Sequence, residues 1–242
     1  RKRLGMNIAL IIAGGSGERM QQDIPKQFLT VHDKPVIIYT LEAFQRHPEI
    51  DIIAVVCLEG WEKTLKAYAK QFNIEKLKHV IRGGENGQAS IRNGVFELEK
   101  YYGKEDLVLV HDAIRPMVSE EIISDCIHKT LAYGSGIASI PCAEAMVVTE
   151  TGTQAEEVYE RTRLKRAQTP QGFPLQRLGE AHREALKRGI TNSVASVTLM
   201  LELGQTVELS LGSEKNLKLT TVEDIDIFKA LLLSKRENWL KG

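Results

Sequence analysis

The sequence is poor in cysteine, and its three cysteines form no recognisable pattern. Cys57, Cys126 and Cys142 are odd in number, widely spaced and free of any C-x-x-C pair. This spacing argues against a disulfide framework and against a thiolate zinc site. It favours a protein of the reducing cytoplasm.

The chain also lacks a charge imbalance and a long apolar run. Its 32 Lys and Arg residues equal its 32 Asp and Glu residues, so no overall field indicates nucleic acid or an acidic membrane as partner. No apolar segment approaches the roughly 20 residues that cross a bilayer, and no signal-peptide core follows the basic start, in which Met6 is a candidate initiator. We therefore expect a soluble cytoplasmic protein without a nucleic-acid or membrane partner.

Several catalytic motifs are absent as well. There is no G-x-x-x-x-G-K-[ST], no H-E-x-x-H and no evident Ser-His-Asp or Cys-His set. The pattern G-x-G-x-x-G is missing because Met20 stands three residues after Gly17, which argues against a dinucleotide-dependent oxidoreductase. Chemistry that rests on cations and at most one metal suits phosphoryl or nucleotidyl transfer.

A glycine-rich stretch follows the first apolar run of the chain. Residues 8–13 have the continuous apolar character of a buried strand and open into Gly14-Gly15-Ser16-Gly17. Glycines let backbone N–H groups approach an anion closely, and Arg19 and Lys26 add two cations. The stretch indicates a nucleoside triphosphate site, with a purely structural turn as the alternative.

The order of elements predicts the fold class. Apolar runs alternate with amphipathic segments up to residue 141, which is typical of a parallel sheet with crossover helices. Alternating residues at 146–151 and 156–166 then predict a β-hairpin. We expect an α/β fold: one domain over residues 1–242, with a Rossmann-like, mostly parallel sheet flanked by helices and a protruding arm at about 143–167. The predicted strands are 8–13, 51–58, 78–82, 107–111, 136–141, 206–211 and 217–220, and the predicted helices are 35–44, 61–72, 88–102, 120–131, 175–188, 194–203 and 222–234.

Four polar clusters come at predicted strand ends. They are residues 14–26, 83–90, 111–115 and 216–218. Open parallel sheets bind ligands outside the carboxyl ends of their strands. The four clusters are therefore expected to converge on one site.

Each of these clusters also has a plainer interpretation. Asp112 and Arg115 suit a divalent cation and a phosphate, or a salt bridge that closes a turn. Ser90 suits a ligand at a helix start, or a cap. Lys218 alternates with two leucines, so it faces either solvent or the site. The basic run at 161–166 is either a solvated face or a binding site.

Taken together, the motifs resemble a known family. A-G-G-S-G-E-R-M, I-P-K-Q-F, H-D-A-I-R-P, T-P-Q-G-F and N-L-K-L-T-T-V-E-D occur in this order between residues 13 and 224. The chain is similar to the CTP-dependent polyol-phosphate cytidylyltransferases, which act on 2-C-methyl-D-erythritol 4-phosphate or ribitol 5-phosphate. The resemblance covers nearly the whole chain.

The resemblance implies a nucleotidyltransferase fold, a homodimer with interlocking arms and a magnesium-dependent transfer of CMP from CTP to a polyol phosphate. It also implies a role for particular residues. The catalytic residues would be Arg19, Lys26 and Lys218. The nucleotide would contact Ala13, Gly14, Gly15, Gly84, Glu85 and Ser90. The acceptor would contact Asp112, Arg115, Arg161 and Thr191, with Asp112 also holding Mg²⁺.

Three positions depart from the family pattern. Gly87 stands where many relatives have Arg, Ala145 where an acceptor-binding Thr is usual, and Asn192 where Asp is frequent. These departures favour retained CTP chemistry with an altered acceptor pocket, which gives weight to a ribitol-like acceptor. A non-catalytic nucleotide-binding or assembly protein on the same fold is the alternative.

Overall fold

The chain is built around a seven-stranded sheet, in a computed structural model that describes residues 5–15 and 23–240. The strands of the sheet lie in the order β11-β7-β10-β6-β1-β4-β5, and two small two-stranded sheets pair β2 with β3 and β8 with β9. The strands are β1 (Asn7–Ala13), β2 (Thr30–Val31), β3 (Lys34–Pro35), β4 (Ile52–Cys57), β5 (Leu77–Arg82), β6 (Leu107–Asp112), β7 (Gly136–Pro141), β8 (Met146–Val148), β9 (Glu157–Tyr159), β10 (Lys165–Pro174) and β11 (Leu209–Leu211).

Helices cover both faces of this sheet and complete two apolar core layers. In the described part of the chain, no helix is both long enough and apolar enough to cross a membrane. The helices are α1 (Val36–Arg46), α2 (Glu62–Gln71), α3 (Gly87–Leu98), α4 (Glu120–Tyr133), α5 (Leu175–Arg188), α6 (Ser196–Glu202) and α7 (Val222–Leu240).

The sheet is mostly parallel, as the alternation of elements predicts. Strand β1 pairs in parallel with β4 and β6, β4 with β5, and β7 with β11. Strands β1, β4 and β6 carry continuous apolar runs because helices bury both of their faces. The predicted α/β fold class is confirmed, and the carboxyl ends of these strands meet at one edge.

Strand β10 is the main departure from the sequence-based expectation. It runs antiparallel between β6 and β7, where no strand was predicted beyond residue 166. Its sequence, KRAQTPQGFP, is rich in Gln, Pro and Gly and shows no apolar periodicity. Pairing with β6 and β7 on its two sides stabilises β10 although its own sequence has a low strand propensity. The register of this pairing is irregular between Ala167 and Gln171.

Two other predicted strands are wrong in detail. Residues 156–166 do not form one strand, because the 3-10 turn Arg161–Arg163 separates β9 from β10. Residues 217–220 form no strand: they run in an irregular segment before α7. The hairpin itself is present, with Met146 opposite Tyr159.

The polar side chain of His182, in α5, is buried without a hydrogen bond to any described residue. Its side chain is 1% exposed, and neither ring nitrogen has a hydrogen-bond partner among the described residues. Burial, helped by the charge of Arg92, lowers the pKa of His182 to about 4. Burial likewise lowers the pKa of His111 to about 4. Both imidazoles are therefore neutral in the folded protein at neutral pH.

These two histidines predict a loss of stability in mild acid. An unfolded histidine binds its proton near pH 6.5, whereas the folded ones resist protonation until about pH 4. Between these two pH values the unfolded state therefore binds more protons than the folded state. Lowering the pH from 6.5 to 4 reduces the free energy of unfolding by about 3 kcal/mol per histidine. Urea unfolding at pH 7 and pH 4.5 measures this. The His182→Leu variant is expected to have a higher free energy of unfolding at pH 7, and this free energy should change less between pH 7 and pH 4.5 than in the wild type. An unchanged difference between the two pH values would contradict the prediction.

Candidate active site

A cleft of about 200 Å³ opens at the carboxyl edge of the sheet. All four polar clusters picked out in the sequence contribute to its lining, together with residues of β10 and residues at and before the start of α6. The lining includes Ala13, Gly14, Gly15, Lys26, Gly87, Asp112, Thr169, Gln171, Ser196 and Lys218. The cluster at 83–90 contributes through Gly87. The cleft thus brings two lysines and one carboxylate together at the end of parallel strands.

Lys26 is held at the cleft by its two neighbours in a short 3-10 turn. The buried side chain of Gln27 donates from Nε2 to the carbonyl oxygens of Ala13 and Gly15, both at 2.9 Å. Phe28 stacks on Trp61 with ring centroids 4.7 Å apart. These contacts fasten the turn to the end of β1. The backbone at Lys26 is therefore fixed without help from a ligand.

Two glycines, one in the loop after β1 and one in the loop after β5, allow both loops to pack closely against the start of α3. A Cβ atom on Gly14 would lie 3.1 Å from Ser90 Oγ, and one on Gly84 would lie 2.5 Å from the Cβ of Ala89. Ser90 is buried, and its Oγ accepts a hydrogen bond from the Gly84 N–H at 3.0 Å. The cap of α3 is Asn86, which accepts from Ala89 N. Ser90 therefore braces the two glycine loops and is not a helix cap.

Asp112 ends β6 with its carboxylate directed toward two cations. Arg115 Nε donates to Asp112 Oδ2 at 2.9 Å. Burial opposes ionisation of this carboxyl, but the charges of Lys218 and Arg115 outweigh it and hold the pKa of Asp112 below its usual value. The salt-bridge interpretation of the Asp112–Arg115 pair is thus correct as far as it goes. The ionised carboxylate nevertheless lines the cleft.

A buried histidine and a threonine fix the backbone at Asp112. His111 Nε2 lies 3.1 Å from the carbonyl oxygen of Arg115, which only accepts, so the neutral imidazole carries its proton on Nε2. Its Nδ1 is then the acceptor for the Thr169 hydroxyl at 2.9 Å. The same hydroxyl oxygen accepts from Asp112 N–H at 3.1 Å. His111 therefore has a positioning role in this structure.

Lys218 reaches the cleft because the segment before it is tied down on two sides. Asn216, which is fully buried, donates from Nδ2 to Gln168 Oε1 and to the Thr169 carbonyl oxygen. The Asn216 carbonyl in turn accepts from Arg115 Nη1 at 2.8 Å, and Leu219 N–H donates to Ile114 O. Leu219 is buried in a small apolar cluster, whereas Lys218 is solvent-exposed and forms part of the cleft lining.

None of the other described residues named in the sequence belongs to the lining of the cleft. Arg115 acts through Asp112 and Asn216. Glu85 is exposed on the loop after β5, and the Thr191 carbonyl accepts from Asn86 Nδ2. Arg161 lies on the arm, where its guanidinium donates to the Ala143 carbonyl oxygen. Arg19 lies outside the described residues.

Several residues of the site have no role in the sequence-based prediction. These are Gln27, Thr169, Gln171 and Ser196. Thr169 and Gln171 belong to T-P-Q-G-F, and Gln27 belongs to I-P-K-Q-F. The motifs that carry the family resemblance therefore already included these three site residues. Ser196 stands outside those motifs.

Among the described residues that line the cleft, Asp112 is the one carboxylate that could bind a divalent cation. The described residues contain no group of three or more His, Cys, Asp or Glu side chains arranged to hold a metal. Magnesium commonly takes one or two protein carboxylates and completes its shell with phosphate oxygens and water. Asp112 has one oxygen paired with Arg115 and a second available, so it fits a metal brought in with a triphosphate.

The fold and the cleft favour a nucleotide-binding α/β transferase, because two lysines and one carboxylate line a cleft at the carboxyl ends of parallel strands. Comparisons with known proteins narrow this class. The family profile described as IspD, 2-C-methyl-D-erythritol 4-phosphate cytidylyltransferase, matches residues 7–234. A crystal structure of 4-diphosphocytidyl-2C-methyl-D-erythritol synthase superimposes with a TM-score of 0.80 at 29% identity, covering 96% of this chain and all of that one.

Relatives that carry two different enzyme names match this chain over nearly their whole length. The ribitol-5-phosphate cytidylyltransferase of Lacticaseibacillus paracasei is 43% identical over 95% of this chain and 99% of its own. The 2-C-methyl-D-erythritol 4-phosphate cytidylyltransferase of Syntrophus aciditrophicus is 32% identical over 93% and 95%. The chain belongs to the 2-C-methyl-D-erythritol 4-phosphate cytidylyltransferase family. It is thus a CTP-dependent enzyme that transfers CMP to a polyol phosphate and releases pyrophosphate.

Proposed function

We propose that the acceptor is ribitol 5-phosphate, so that the product is CDP-ribitol. The observation that carries this proposal is the order of similarity, since the relative named for ribitol 5-phosphate is clearly more similar than the one named for the erythritol phosphate. Asn192, an amide where a carboxylate is frequent in the family, agrees with an acceptor pocket of altered chemistry. A CDP-ribitol product would serve a polymer such as teichoic acid or capsule rather than isoprenoid biosynthesis.

The reaction needs charge neutralisation more than proton transfer. An acceptor phosphate oxygen forms a bond to the α-phosphorus of CTP as the bond from that phosphorus to the bridging oxygen breaks, and pyrophosphate leaves. Negative charge accumulates on the α-phosphate and on the leaving group. Lys26 and Lys218 line the cleft where this charge develops, and preorganised cations stabilise such a transition state strongly. Arg19, in the same glycine loop, is proposed to act with them.

Mg²⁺ is the proposed cofactor, held by Asp112 and by the triphosphate. When bound it neutralises phosphate charge and helps to orient the triphosphate. Asp112 suits this task because its pKa is lowered, which keeps the carboxylate ionised across the neutral range. Arg115 orients the carboxylate through Oδ2.

The acceptor is tested by pyrophosphate release with CTP, Mg²⁺ and a panel of polyol phosphates. We expect kcat/KM for ribitol 5-phosphate to exceed that for 2-C-methyl-D-erythritol 4-phosphate by at least about tenfold, since a pocket built for one hydroxyl pattern leaves polar groups unpaired with another. Mass spectrometry of the product checks that CDP-ribitol forms. A preference for the erythritol phosphate would overturn the acceptor assignment while leaving the transferase class intact.

A homodimer formed through the arm is proposed as the working unit. The arm, residues 143–167, exposes four large apolar side chains whose exposure ranges from 45% to 76%: Met146, Val147, Val158 and Tyr159. Apolar side chains that project on a two-stranded hairpin are costly unless a second surface covers them. Sedimentation velocity at micromolar concentration is expected to show a dimer that Val158→Asp converts to monomer; a monomeric wild type would contradict it.

The cytoplasm is the proposed compartment. All three cysteines are free in the structure, and Cys57 and Cys126 are buried. Burial raises the pKa of both thiols to about 12, so they are inert thiols rather than reactive ones. Free thiols of this kind are typical of a reducing compartment.

A further inference from the structure

Ser196 is a buried hydroxyl of the cleft wall that lacks a partner. The residue is 3% exposed and lines the cleft. Its Oγ has no hydrogen-bond partner within residues 5–15 and 23–240. A buried hydroxyl left unpaired costs free energy, so an unpaired hydroxyl in a native structure calls for an explanation. Its position on the cleft suggests that a ligand supplies the missing partner.

The segment that carries Ser196 is fixed from both sides. Gln171 Oε1 on β10 accepts from Val197 N–H at 2.9 Å. Gln88 Oε1 on α3 accepts from Ser193 N–H at 2.7 Å. These two bonds span the cleft wall, so Ser196 keeps its place before any substrate arrives.

The neighbouring hydroxyls of this segment are all satisfied internally. Ser193 Oγ lies 2.8 Å from Thr198 Oγ1, and Thr198 Oγ1 accepts from Ala195 N–H at 2.9 Å. The segment thus contains enough hydroxyls to pair its own groups. Ser196 alone among these three serine and threonine side chains is left for an outside partner.

The position of Ser196 points to the acceptor rather than to the nucleotide. Along the sheet, β6 with Asp112 lies between β1, which carries the glycine loop, and β10. The glycines proposed for the nucleotide follow β1 and β5, on one side of Asp112. The residue next to Ser196, Val197, is bonded to Gln171 of β10 on the other side, whereas the bond to α3 is made three residues earlier, at Ser193. An acceptor that attacks from the side opposite the leaving group would lie there.

We infer that Ser196 Oγ hydrogen-bonds a hydroxyl group of the polyol chain and is a specificity-determining residue for the acceptor. The inference rests on the proposed transfer of CMP to a polyol phosphate. An uncharged hydrogen bond of this kind affects binding by roughly 3- to 10-fold. Ser196 touches no reacting atom, so its effect belongs in the KM for the acceptor and not in kcat.

Ser196→Ala tests the inference, with Ser210→Ala as a matched control. Ser210 is also a buried serine, 6% exposed, whose Oγ lacks a partner in the described structure, but it lies in β11 away from the cleft. We expect Ser196→Ala to raise the KM for the polyol phosphate roughly 3- to 10-fold, with the KM for CTP and kcat within about twofold of wild type. Ser210→Ala should leave all three unchanged. Neither change removes a hydrogen bond made within the protein, so the melting temperatures should not fall.

A set of singly deoxygenated polyol phosphates sharpens the test. The wild type should lose affinity for the analogue that lacks the bonded hydroxyl, whereas Ser196→Ala should bind that analogue and the parent compound alike. An unchanged acceptor KM in Ser196→Ala would overturn the inference, as would a rise confined to CTP, which would assign the hydroxyl to the nucleotide. Absence of turnover by the wild type with every polyol phosphate would instead contradict the proposed function.

Discussion

Lys26→Ala is expected to lower kcat by about 10²–10³-fold, since one preorganised charge at a developing anion typically has an effect of this size. Gln27 and Phe28 fix the backbone of the turn that carries Lys26, so the root of this cationic side chain is in place before the substrates bind. Because the charge on the α-phosphate grows in the transition state, the loss should fall mainly on kcat and less on the KM for CTP. Steady-state pyrophosphate release measures both parameters.

Lys215→Ala is the control for Lys26→Ala. Lys215 is exposed and does not line the cleft, so its removal changes the net charge equally without touching the site. We expect its kcat to stay within about twofold of wild type, since a solvated surface charge contributes little. If Lys26→Ala had the kcat of Lys215→Ala, the proposed role of Lys26 would be wrong.

Asp112→Asn is expected to have the second large effect, again about 10²–10³-fold in kcat. The amide is nearly isosteric and still offers an oxygen to Arg115, but it removes the negative charge that lies between Lys218 and Arg115. The variant should also need a higher Mg²⁺ concentration for half-maximal rate, because an amide oxygen is a weaker ligand than a carboxylate. Titration of activity with Mg²⁺ measures this shift.

The same variant separates catalysis from structure at Asp112. If the carboxylate only closed the turn after β6, losing its charge-assisted bond to Arg115 would cost roughly 1–3 kcal/mol of stability and would leave kcat unchanged once the protein is folded. Thermal unfolding and kcat measured on one preparation distinguish the two. A lowered melting temperature with wild-type kcat would assign Asp112 to the fold alone.

Much of the fold was predictable because buried parallel strands leave a direct mark on the sequence. The apolar runs around residues 8–13, 51–58 and 107–111 became β1, β4 and β6, since helices on both faces of a sheet require apolar side chains on both sides of a strand. Strand β10 was missed because its pairing comes from β6 and β7, which are distant along the chain. The local sequence Q-T-P-Q-G-F contains no pattern that indicates those distant pairing partners.

The site was predictable to a similar degree. The convergence of Lys26, Asp112 and Lys218 follows from the rule that strand ends share an edge, and the structure places all three on one cleft. The direction of Lys218 was not predictable, because it depends on the hydrogen bonds of Asn216 to Gln168 and Thr169 rather than on strand alternation. Ser196 left no pattern at all, since an unpaired hydroxyl is visible only when its surroundings are known.

Strand β10 begins at Lys165, within the last residues of the arm, and continues past Thr169, whose hydroxyl accepts from the Asp112 N–H, with a register irregularity between Ala167 and Gln171. Changes in chain length therefore have different consequences on the two sides of Glu160. At the exposed turn of residues 149–156, an added or lost residue only alters the tip of the hairpin. Between residues 164 and 171 it would shift the strand by one position and turn Thr169 away from His111 and Asp112. We therefore expect length changes at the tip to be tolerated, whereas length changes at the root of the arm should disturb the backbone at Asp112.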